Sequence, residues 1–450
     1  MKKISSLIIL CLLCFAACTP VQQLEPATNI RSMILGVDSQ VQLADGTYVA
    51  AVNFDNAATT PAFIPVLDEV TEQLEFYGSI GRGKGQKSAH STEIYENGRL
   101  AILDFVGADP EKYTVFYVNS TTDGLNKLAS ALITSEDDII LATRMEHHAN
   151  DLPWRHRGTT IYADVDSMGR LRVDEVERLL KEYDVKYVTV TAASNVTGYV
   201  NDVHAIAKLA HENGAQIIVD GAQIVAHRAF DMKGESATRD IDFFVFSAHK
   251  MYAPFGGGAV IGLKEELDKN MPQFYGGGIV DVVSDYTETY LSAPELYESG
   301  SPNYPGVVAL GKTIEILKQV GFDYIEEHEQ ILMRKTIDGI KDIPGVTLYG
   351  DNENISDRVG IVVFSIEGMT HSEVAERLAD DYGIAVRQGA FCSHPYAFRL
   401  LGIPDEDVVA KMYDDDYDMP GMVRVSFGIY NNEDEVDIFI KAVDEMAQMD

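Results

Sequence analysis

A lysine and an aspartate follow two apolar stretches of strand length in the middle of the chain. Lys250 ends "IDFFVFSAHK" (241–250), and Asp220 ends "AQIIVD" (215–220). A lysine held away from water has a lowered pKa and can form a Schiff base with a carbonyl. A carboxylate beside a pyridinium nitrogen is what pyridoxal phosphate needs to act as an electron sink. The pair points toward that cofactor, although a strand-end lysine can also reach solvent and a strand-end aspartate can cap a loop.

Two further segments carry polar groups at predicted strand ends. "STTDGLN" (120–126) presents hydroxyls and backbone amides before a helical stretch, which is typical of a phosphate cradle, whereas an ordinary N-cap would need one hydroxyl only. The histidines of "MEHHAN" (145–150) could be metal ligands, but no HExxH motif or cysteine cluster supports zinc. A histidine stacked on an aromatic cofactor fits this context better.

Cys392, in "RQGAFCSHPY" (387–396), is the only cysteine after residue 18. The other three cysteines lie within the first 18 residues, so the body of the chain can form no internal disulfide. Such a thiol is either a small buried hydrophobic group or a reactive one.

The order of elements predicts an α/β fold. Apolar runs such as "DIILAT" (138–143) and "KYVTVTAASN" (186–195) alternate with amphipathic stretches such as "DVHAIAKLAHENG" (202–214). This alternation favours a mostly parallel sheet covered on both faces, which binds ligands beyond the carboxyl ends of its strands. The polar residues collect at those predicted ends.

Four segments are predicted along the chain: 1–17 as a signal peptide, 18–50 as a tether and lead-in, 51–310 as a large cofactor-binding domain, and 311–450 as a smaller α/β domain that carries Cys392. The acidic stretch 404–421 within the last segment fits no EF-hand loop and is expected to be a solvated surface loop.

The N-terminus has the layout of a secretory signal. Two lysines precede an apolar run, and "FAAC" resembles a bacterial lipobox, in which Cys18 would be lipidated after cleavage. A buried apolar helix is the alternative. We therefore expect export and anchoring to a membrane by lipid alone, on the periplasmic or cell-surface side, or a cytoplasmic protein if the signal is not used. The net charge of −34 argues against a nucleic-acid partner.

Taken together and in this order, the motifs resemble class V aminotransferase-fold enzymes. The similar stretches cover about residues 50–450 and include "NFDNAATT", "GRGKGQKSAHST", "STTDGLN", "MEHHAN", "ASNVTG", "VDGAQ", "FSAHK", "ESGSPN", "VRQGAFC" and "VRVSFGIYNNEDEVD". The nearest branch looks like the group II (SUF-type) cysteine desulfurases and selenocysteine lyases. That resemblance implies a fold-type I pyridoxal-phosphate enzyme acting on a small amino acid, a homodimer, and room for a sulfur-acceptor protein.

The resemblance also implies residue roles. Lys250 would hold pyridoxal phosphate and move protons, Asp220 would pair with the ring nitrogen, and Cys392 would be the nucleophile. The remaining cofactor contacts would be His147 on the ring, Gln223 and Asn195 near the phenolic oxygen, Thr121, Thr122, Ser247 and His249 on the phosphate, and Ser301 from a second subunit. Substrate binding would fall to Arg424 on the carboxylate, with Arg387, Asn56 and Arg82. No metal is expected.

Three functions stay open at this point. The first is a cysteine desulfurase or selenocysteine lyase with Cys392 as nucleophile. The second is another class V reaction, such as that of a C–S lyase, an epimerase or an aminotransferase, in which Cys392 is only part of the pocket wall. The third is a surface lipoprotein that reuses the fold without catalysis, against which the set of Lys250, Asp220 and His147 argues.

Overall fold

A computed structural model describes residues 30–81, 83–411 and 419–449. The predicted signal peptide, Cys18 and the first part of the tether lie outside the described residues. Among the described helices, none is both long and apolar enough to cross a membrane.

Seventeen strands occur in the described ranges: β1 Gln40–Gln42, β2 Tyr48–Ala50, β3 Val52–Asn53, β4 Tyr113–Val118, β5 Ile139–Thr143, β6 Thr159–Ala163, β7 Val185–Thr191, β8 Gln216–Asp220, β9 Phe243–Ser247, β10 Gly258–Leu263, β11 Val280–Val283, β12 Glu288–Tyr290, β13 Val346–Leu348, β14 Ile361–Ile366, β15 Ile384–Ala385, β16 Arg387–Gly389 and β17 Met422–Ser426.

The α-helices described are α1 Ile64–Glu75, α2 Gln86–Phe105, α3 Thr121–Leu132, α4 Leu152–Arg155, α5 Val173–Glu182, α6 Val203–Glu212, α7 Ile224–His227, α8 Lys264–Leu267, α9 Tyr304–Val320, α10 Phe322–Ile340, α11 His371–Tyr382, α12 His394–Leu401, α13 Asp405–Lys411 and α14 Glu433–Ala447. Short 3-10 helices cover Arg31–Met33, His148–Asn150, Ala237–Arg239, Ala248–Lys250 and Glu295–Tyr297.

The large sheet has seven strands in the order β4-β10-β9-β8-β7-β5-β6. The five neighbouring strands β6, β5, β7, β8 and β9 pair in parallel, whereas β10 is antiparallel to both of its neighbours, β9 and β4. Along β9, Phe243 and Val245 join one hydrophobic cluster, whereas Phe244 and Phe246 join another. Because side chains alternate between the two faces of a strand, both faces of this sheet are buried. The predicted α/β class with a mostly parallel sheet is confirmed.

Helix α3 lies unusually close to this sheet. A Cβ atom at Gly124 would come within 2.6 Å of Val245 Cγ1 and 2.7 Å of Val260 Cγ2, so only glycine fits there. The close approach of α3 sets its N-terminus, with Thr121 and Thr122, beside the end of β9.

A second sheet, in the order β13-β14-β17-β16, is antiparallel throughout and packs against α10, α11 and α14. The chain before the large sheet also joins this part, because β3 pairs in parallel with β15. Helix α9 runs across residue 310 without a break, and the predicted domain limits stay predictions.

The buried side chain of Arg358 connects the two sheets. Its Nε donates to the Thr197 carbonyl beyond β7 at 2.7 Å, and its Nη2 donates to the Ile361 carbonyl at the start of β14 at 2.8 Å. These two bonds fix the start of β14 relative to the large sheet. Because β14 pairs with β17, they also fix the position of Arg424.

The acidic stretch 404–421 is helical over α13, whose residues are not buried. Residues 412–418 of this stretch lie outside the described ranges.

Candidate active site

The carboxyl ends of the parallel strands meet a cavity of about 250 Å³. It brings together most of the residues predicted from the sequence: Thr121, Thr122, His147, Asn195, Asp220, Gln223, Ser247, His249, Lys250, Arg387, Cys392 and Arg424. Strand order explains the convergence, because parallel neighbours end at the same edge of a sheet.

Lys250 and Asp220 interact across this cavity. Burial lowers the pKa of Lys250 to about 8, and the nearby Asp220 carboxylate opposes that shift only in part. Burial raises the pKa of Asp220, although its Oδ1 accepts a hydrogen bond of 2.9 Å from the Ala222 amide. With a pKa of about 8, Lys250 loses its proton far more readily than an ordinary lysine and becomes a nucleophilic amine, with a carboxyl group nearby.

His147 is a neutral ring in this cavity. Its Nδ1 accepts a hydrogen bond of 3.0 Å from the Ala149 amide, which places the ring proton on Nε2. Burial, followed by the charge of Lys250, lowers the pKa of His147 to about 3. An uncharged imidazole can lie against a flat aromatic ligand without adding a positive charge.

The N-terminus of α3 forms a cradle of hydroxyls and amides. The Thr121 amide donates to Ser247 Oγ at 2.7 Å, and the hydroxyls of the two residues are also 2.7 Å apart. The ordinary cap of this helix is Ser120, whose Oγ accepts from the Asp123 amide. The two threonines are therefore additional to the cap, and they line the cavity where a helix N-terminus favours an anion.

Gln223 presents a buried amide to the same cavity. Its Nε2 donates to the Ala57 carbonyl at 2.9 Å, whereas its Oε1 has no hydrogen-bond partner among the described residues. A buried polar atom without a partner is costly, so a polar group bound in the cavity would satisfy it.

Cys392 lies on a loop with an unusual backbone. Phe391 and Cys392 have φ angles of 52° and 55°, the left-handed region that side chains other than glycine rarely adopt. The side chain of Cys392 is exposed, so it is not a buried hydrophobic group. Lys250 and Arg424 are close enough to interact electrostatically with the thiol group.

The side chain of Asn195 forms hydrogen bonds with this loop on both sides of the cysteine. Its Nδ2 donates to the Phe391 carbonyl at 2.7 Å, and its Oδ1 accepts from Ser393 Oγ at 3.0 Å. Its backbone carbonyl accepts from Arg424 Nη1 at 2.8 Å. The residue predicted to face the cofactor thus also holds the cysteine loop and the predicted substrate arginine.

His148 contacts the same loop through two further hydrogen bonds. Its amide donates to the Cys392 carbonyl at 2.7 Å, and its Nε2 accepts from the His394 amide at 3.3 Å. Burial lowers the pKa of His148, which favours the neutral ring that this acceptor role requires.

Two of the predicted substrate and cofactor residues that the structure describes, Asn56 and Ser301, do not line the cavity. The amide of Asn56 is buried and bonded to Ser426, Asn431 and Tyr430, so it serves the scaffold. Ser301 borders a separate cavity of about 670 Å³. Arg82, like the predicted lipidation site Cys18, lies outside the described residues.

Sequence reasoning missed Asp55 and Glu146. Asp55 pairs with Arg424 at 2.9 Å. Glu146 is buried behind the cavity, where burial raises its pKa to about 8 while Thr143, Asn150 and the Thr191 amide donate to it. Asp55 belongs to "NFDNAATT" and Glu146 to "MEHHAN". The only signal in the sequence was that each is an acidic residue within a motif singled out for other residues.

A cavity with a lysine and an aspartate at the carboxyl edge of such a sheet defines the class as a fold-type I pyridoxal-phosphate enzyme. The chain belongs to the aminotransferase class V family, whose model matches residues 52–439. A probable cysteine desulfurase of Halalkalibacterium halodurans is 33% identical over 431 residues, covering 94% of this chain and 98% of the relative. A cysteine desulfurase of an Enterobacter species is 35% identical over 400 residues, covering 85% and 90%.

Solved structures agree with these sequence matches. The apo cysteine desulfurase of Thermococcus onnurineus NA1 superposes with a TM-score of 0.82 at 29% identity, covering 95% of this chain and 99% of that one. The S-sulfonic acid form of the cysteine desulfurase CsdA of Escherichia coli gives a TM-score of 0.73 at 28% identity, covering 88% and 94%. The predicted family is confirmed.

The residues present fit pyridoxal phosphate. Lys250 offers an amine with a lowered pKa, Asp220 a carboxyl for the ring nitrogen, and the start of α3 an anion cradle. Neutral His147 could cover the ring, and the unpaired Oε1 of Gln223 could accept a hydrogen bond from a polar ligand. The individual roles stay predictions.

We predict that Asn195→Ala loosens the cysteine loop. Removal of both side-chain hydrogen bonds takes away support from a left-handed backbone that costs on the order of 1 kcal/mol per residue. Hydrogen exchange of the peptide containing residues 390–394 should become faster by about tenfold, corresponding to about 1.4 kcal/mol.

Ser393→Ala is the matched variant, because it removes only the bond to Oδ1 and should give a smaller increase. Unchanged exchange in Asn195→Ala would show that the loop does not depend on this side chain.

Proposed function

We propose that this protein is a pyridoxal-phosphate-dependent cysteine desulfurase, or a selenocysteine lyase, that converts L-cysteine to L-alanine and keeps the sulfur as a persulfide on Cys392. The observation that carries the proposal is the position of Cys392, whose exposed thiol lies in the same cavity wall as Lys250 and Arg424. The names of the relatives, cysteine desulfurases that match most of the chain, support the same activity.

Different residues of the cavity would bind the cofactor and transfer protons. Pyridoxal phosphate supplies an electron sink that makes the substrate α-carbon acidic. Lys250 would anchor it and move protons at Nζ, since a pKa of about 8 allows both gain and loss of a proton. Asp220 would stabilise positive charge on the ring nitrogen, and the uncharged His147 would cover the ring.

Arg424 would orient the substrate by its carboxylate. The guanidinium is buried and borders the cavity, and it matches a carboxylate in a two-pronged hydrogen bond. While Arg424 holds the substrate's carboxylate, Cys392 in the same cavity wall would act as the nucleophile.

Sulfur transfer then needs a thiolate on Cys392. Its sulfur attacks the substrate sulfur, forming an S–S bond while the C–S bond breaks and its electron pair stays with carbon. The carbon takes up the proton that the substrate thiol releases. Cysteine and the thiolate thus become alanine and a persulfide anion, with no external oxidant or reductant. Lys250 and Arg424, both of which line this cavity, are close enough to Cys392 to interact with it electrostatically.

We predict that Cys392→Ala abolishes alanine formation from L-cysteine and retains the visible absorption of the bound cofactor. The reason is that the substitution removes the sulfur acceptor and leaves the cofactor contacts in place. Lys250→Ala should abolish both signals. Alanine, sulfide and absorption spectra of the purified protein provide the measurement.

If Cys392→Ala keeps wild-type activity while Lys250→Ala is inactive, the reaction is a different one of the same family. A C–S lyase, an epimerase or an aminotransferase would then be the function. A protein that shows no cofactor absorption after pyridoxal phosphate is added would be a non-catalytic member.

Assignment to the group II (SUF-type) branch, a homodimer and a sulfur-acceptor partner belong to the same proposal. Large apolar side chains exposed along residues 271–286 support a protein contact there: Met271, Phe274, Tyr275, Val282, Val283 and Tyr286. The role of Ser301 in a second subunit's site stays a prediction.

We also propose that the protein is an exported lipoprotein anchored through Cys18. The support is the sequence alone: two lysines, an apolar run and "FAAC" before a polar stretch. A lipid on one cysteine would hold the enzyme at a membrane surface outside the cytoplasm.

We predict that Cys18→Ala abolishes lipid attachment, because the thioether linkage needs this sulfur. Cells grown with a labelled fatty acid should label the wild-type protein and the Cys11→Ala control, but not Cys18→Ala. Equal labelling of all three, or of none, would contradict the anchor.

A further inference from the structure

The loop that carries Cys392 is held by His148 as well as by Asn195. The amide of His148 donates to the Cys392 carbonyl at 2.7 Å, and Nε2 of its ring accepts from the His394 amide at 3.3 Å. Helix α12 begins at His394, directly after the loop. One residue therefore holds the chain both at the cysteine and two residues later, where the helix begins.

The bond from the His394 amide requires an unprotonated Nε2 on His148. An acceptor nitrogen must present a lone pair, whereas a protonated imidazole is a donor at both nitrogens. A proton on Nε2 would replace this bond with two N–H groups that face each other. Burial lowers the pKa of His148 and so favours the neutral ring while the loop is in place. Protonation must then favour a loop that has moved away from the ring.

Two other histidine rings lie near His148. The ring centroid of His147 is 6.2 Å away, and that of His394 is 4.7 Å away in an edge-on arrangement. His147 has a pKa of about 3 and stays neutral through the mildly acidic range. Burial also lowers the pKa of His394, and a proton on that ring would disfavour one on His148.

The charged groups that act on His148 belong to the short helix α4 and its cap. The carboxylate of Asp151 raises the pKa of His148, and the guanidinium of Arg155 lowers it. These two groups pair with each other, with Arg155 Nε donating to Asp151 Oδ1 at 2.7 Å. Helix α3 and strand β7 pack against the same 3-10 helix, and their described residues add no charge that acts on this ring.

We propose that His148 is a positioning residue for the nucleophile, whose ring holds the Cys392 loop at the cavity while it is neutral and releases it when it is protonated. The side chain of Asn195 is an amide that does not titrate, so its two bonds keep the loosened loop attached. The inference rests on the proposed function only for the role of Cys392 as nucleophile.

The direction of the pH dependence follows from the lowered pKa. The bond from His148 stabilises the loop fully above the ordinary histidine pKa of about 6.5. Its contribution is lost as the pH falls below that value, because the released ring takes up a proton that the bonded ring does not.

Hydrogen exchange of the peptide containing residues 392–397 tests this inference, in the full chain with pyridoxal phosphate added. Protection is measured at about pH 7.5 and about pH 5.5, on either side of the ordinary histidine pKa, and relative to the unfolded protein at the same pH. In wild type, protection should fall by up to about tenfold, because one linked proton changes an equilibrium by at most that factor per pH unit.

His148→Gln separates the hydrogen bond from the titration. A glutamine amide oxygen can accept from the His394 amide and does not titrate, so protection should be the same at both pH values. His148→Phe keeps a ring but offers no acceptor, and its protection should be low at both. His394→Gln is the matched control, because it keeps the backbone donor and removes the neighbouring ring. Its protection should still fall with pH as in wild type.

Equal protection of the wild type at both pH values would overturn the inference. So would a fall that persists in His148→Gln or disappears in His394→Gln, since another group would then be titrating. Melting temperatures establish that each variant is folded, and an unfolded His148→Phe leaves the comparison of wild type with His148→Gln intact.

Alanine formation from L-cysteine is measured on the same preparations. If wild type forms no alanine while its protection falls as described, the proposed function fails and the role of His148 in holding the loop stands. If alanine forms and protection does not depend on pH, the proposed function stands and the role of His148 fails.

Discussion

The active site depends on the hydrogen bonds of Asn195. Its side chain joins the carbonyl of Phe391 to the hydroxyl of Ser393, and its backbone carbonyl accepts from Arg424. Asn195 follows β7 of the large sheet, whereas its partners belong to the C-terminal part of the chain. This one residue therefore links the end of β7 to the loop that carries Cys392 and to Arg424.

Burial gives these groups their chemical properties. The same desolvation lowers the pKa of Lys250 to about 8 and that of His147 to about 3. It also makes an uncompensated charge expensive, which is why Arg424 needs Asp55. The cavity thus holds a reactive amine and a neutral ring from the edge of the large sheet, together with a buried arginine from β17 of the second sheet.

Sequence alone predicted the fold class and most of the residues that line the cavity, because strand ends of a parallel sheet converge by geometry. It did not indicate that the amide of Asn56, quoted in a site motif, is bonded within the scaffold and does not border the cavity. It could not reveal Asp55 and Arg424 as a pair, because they are 369 residues apart. Such pairs depend on how two sheets meet, which local patterns do not encode.

The most direct test is the mass of the intact protein and of its Cys392 peptide after one turnover with L-cysteine in the absence of an acceptor and of reductant. The account predicts one added sulfur atom on the peptide that contains Cys392, together with an equal amount of alanine. Alanine released with no sulfur on that peptide, or sulfur lost as sulfide from a Cys392→Ala protein at the wild-type rate, would contradict it.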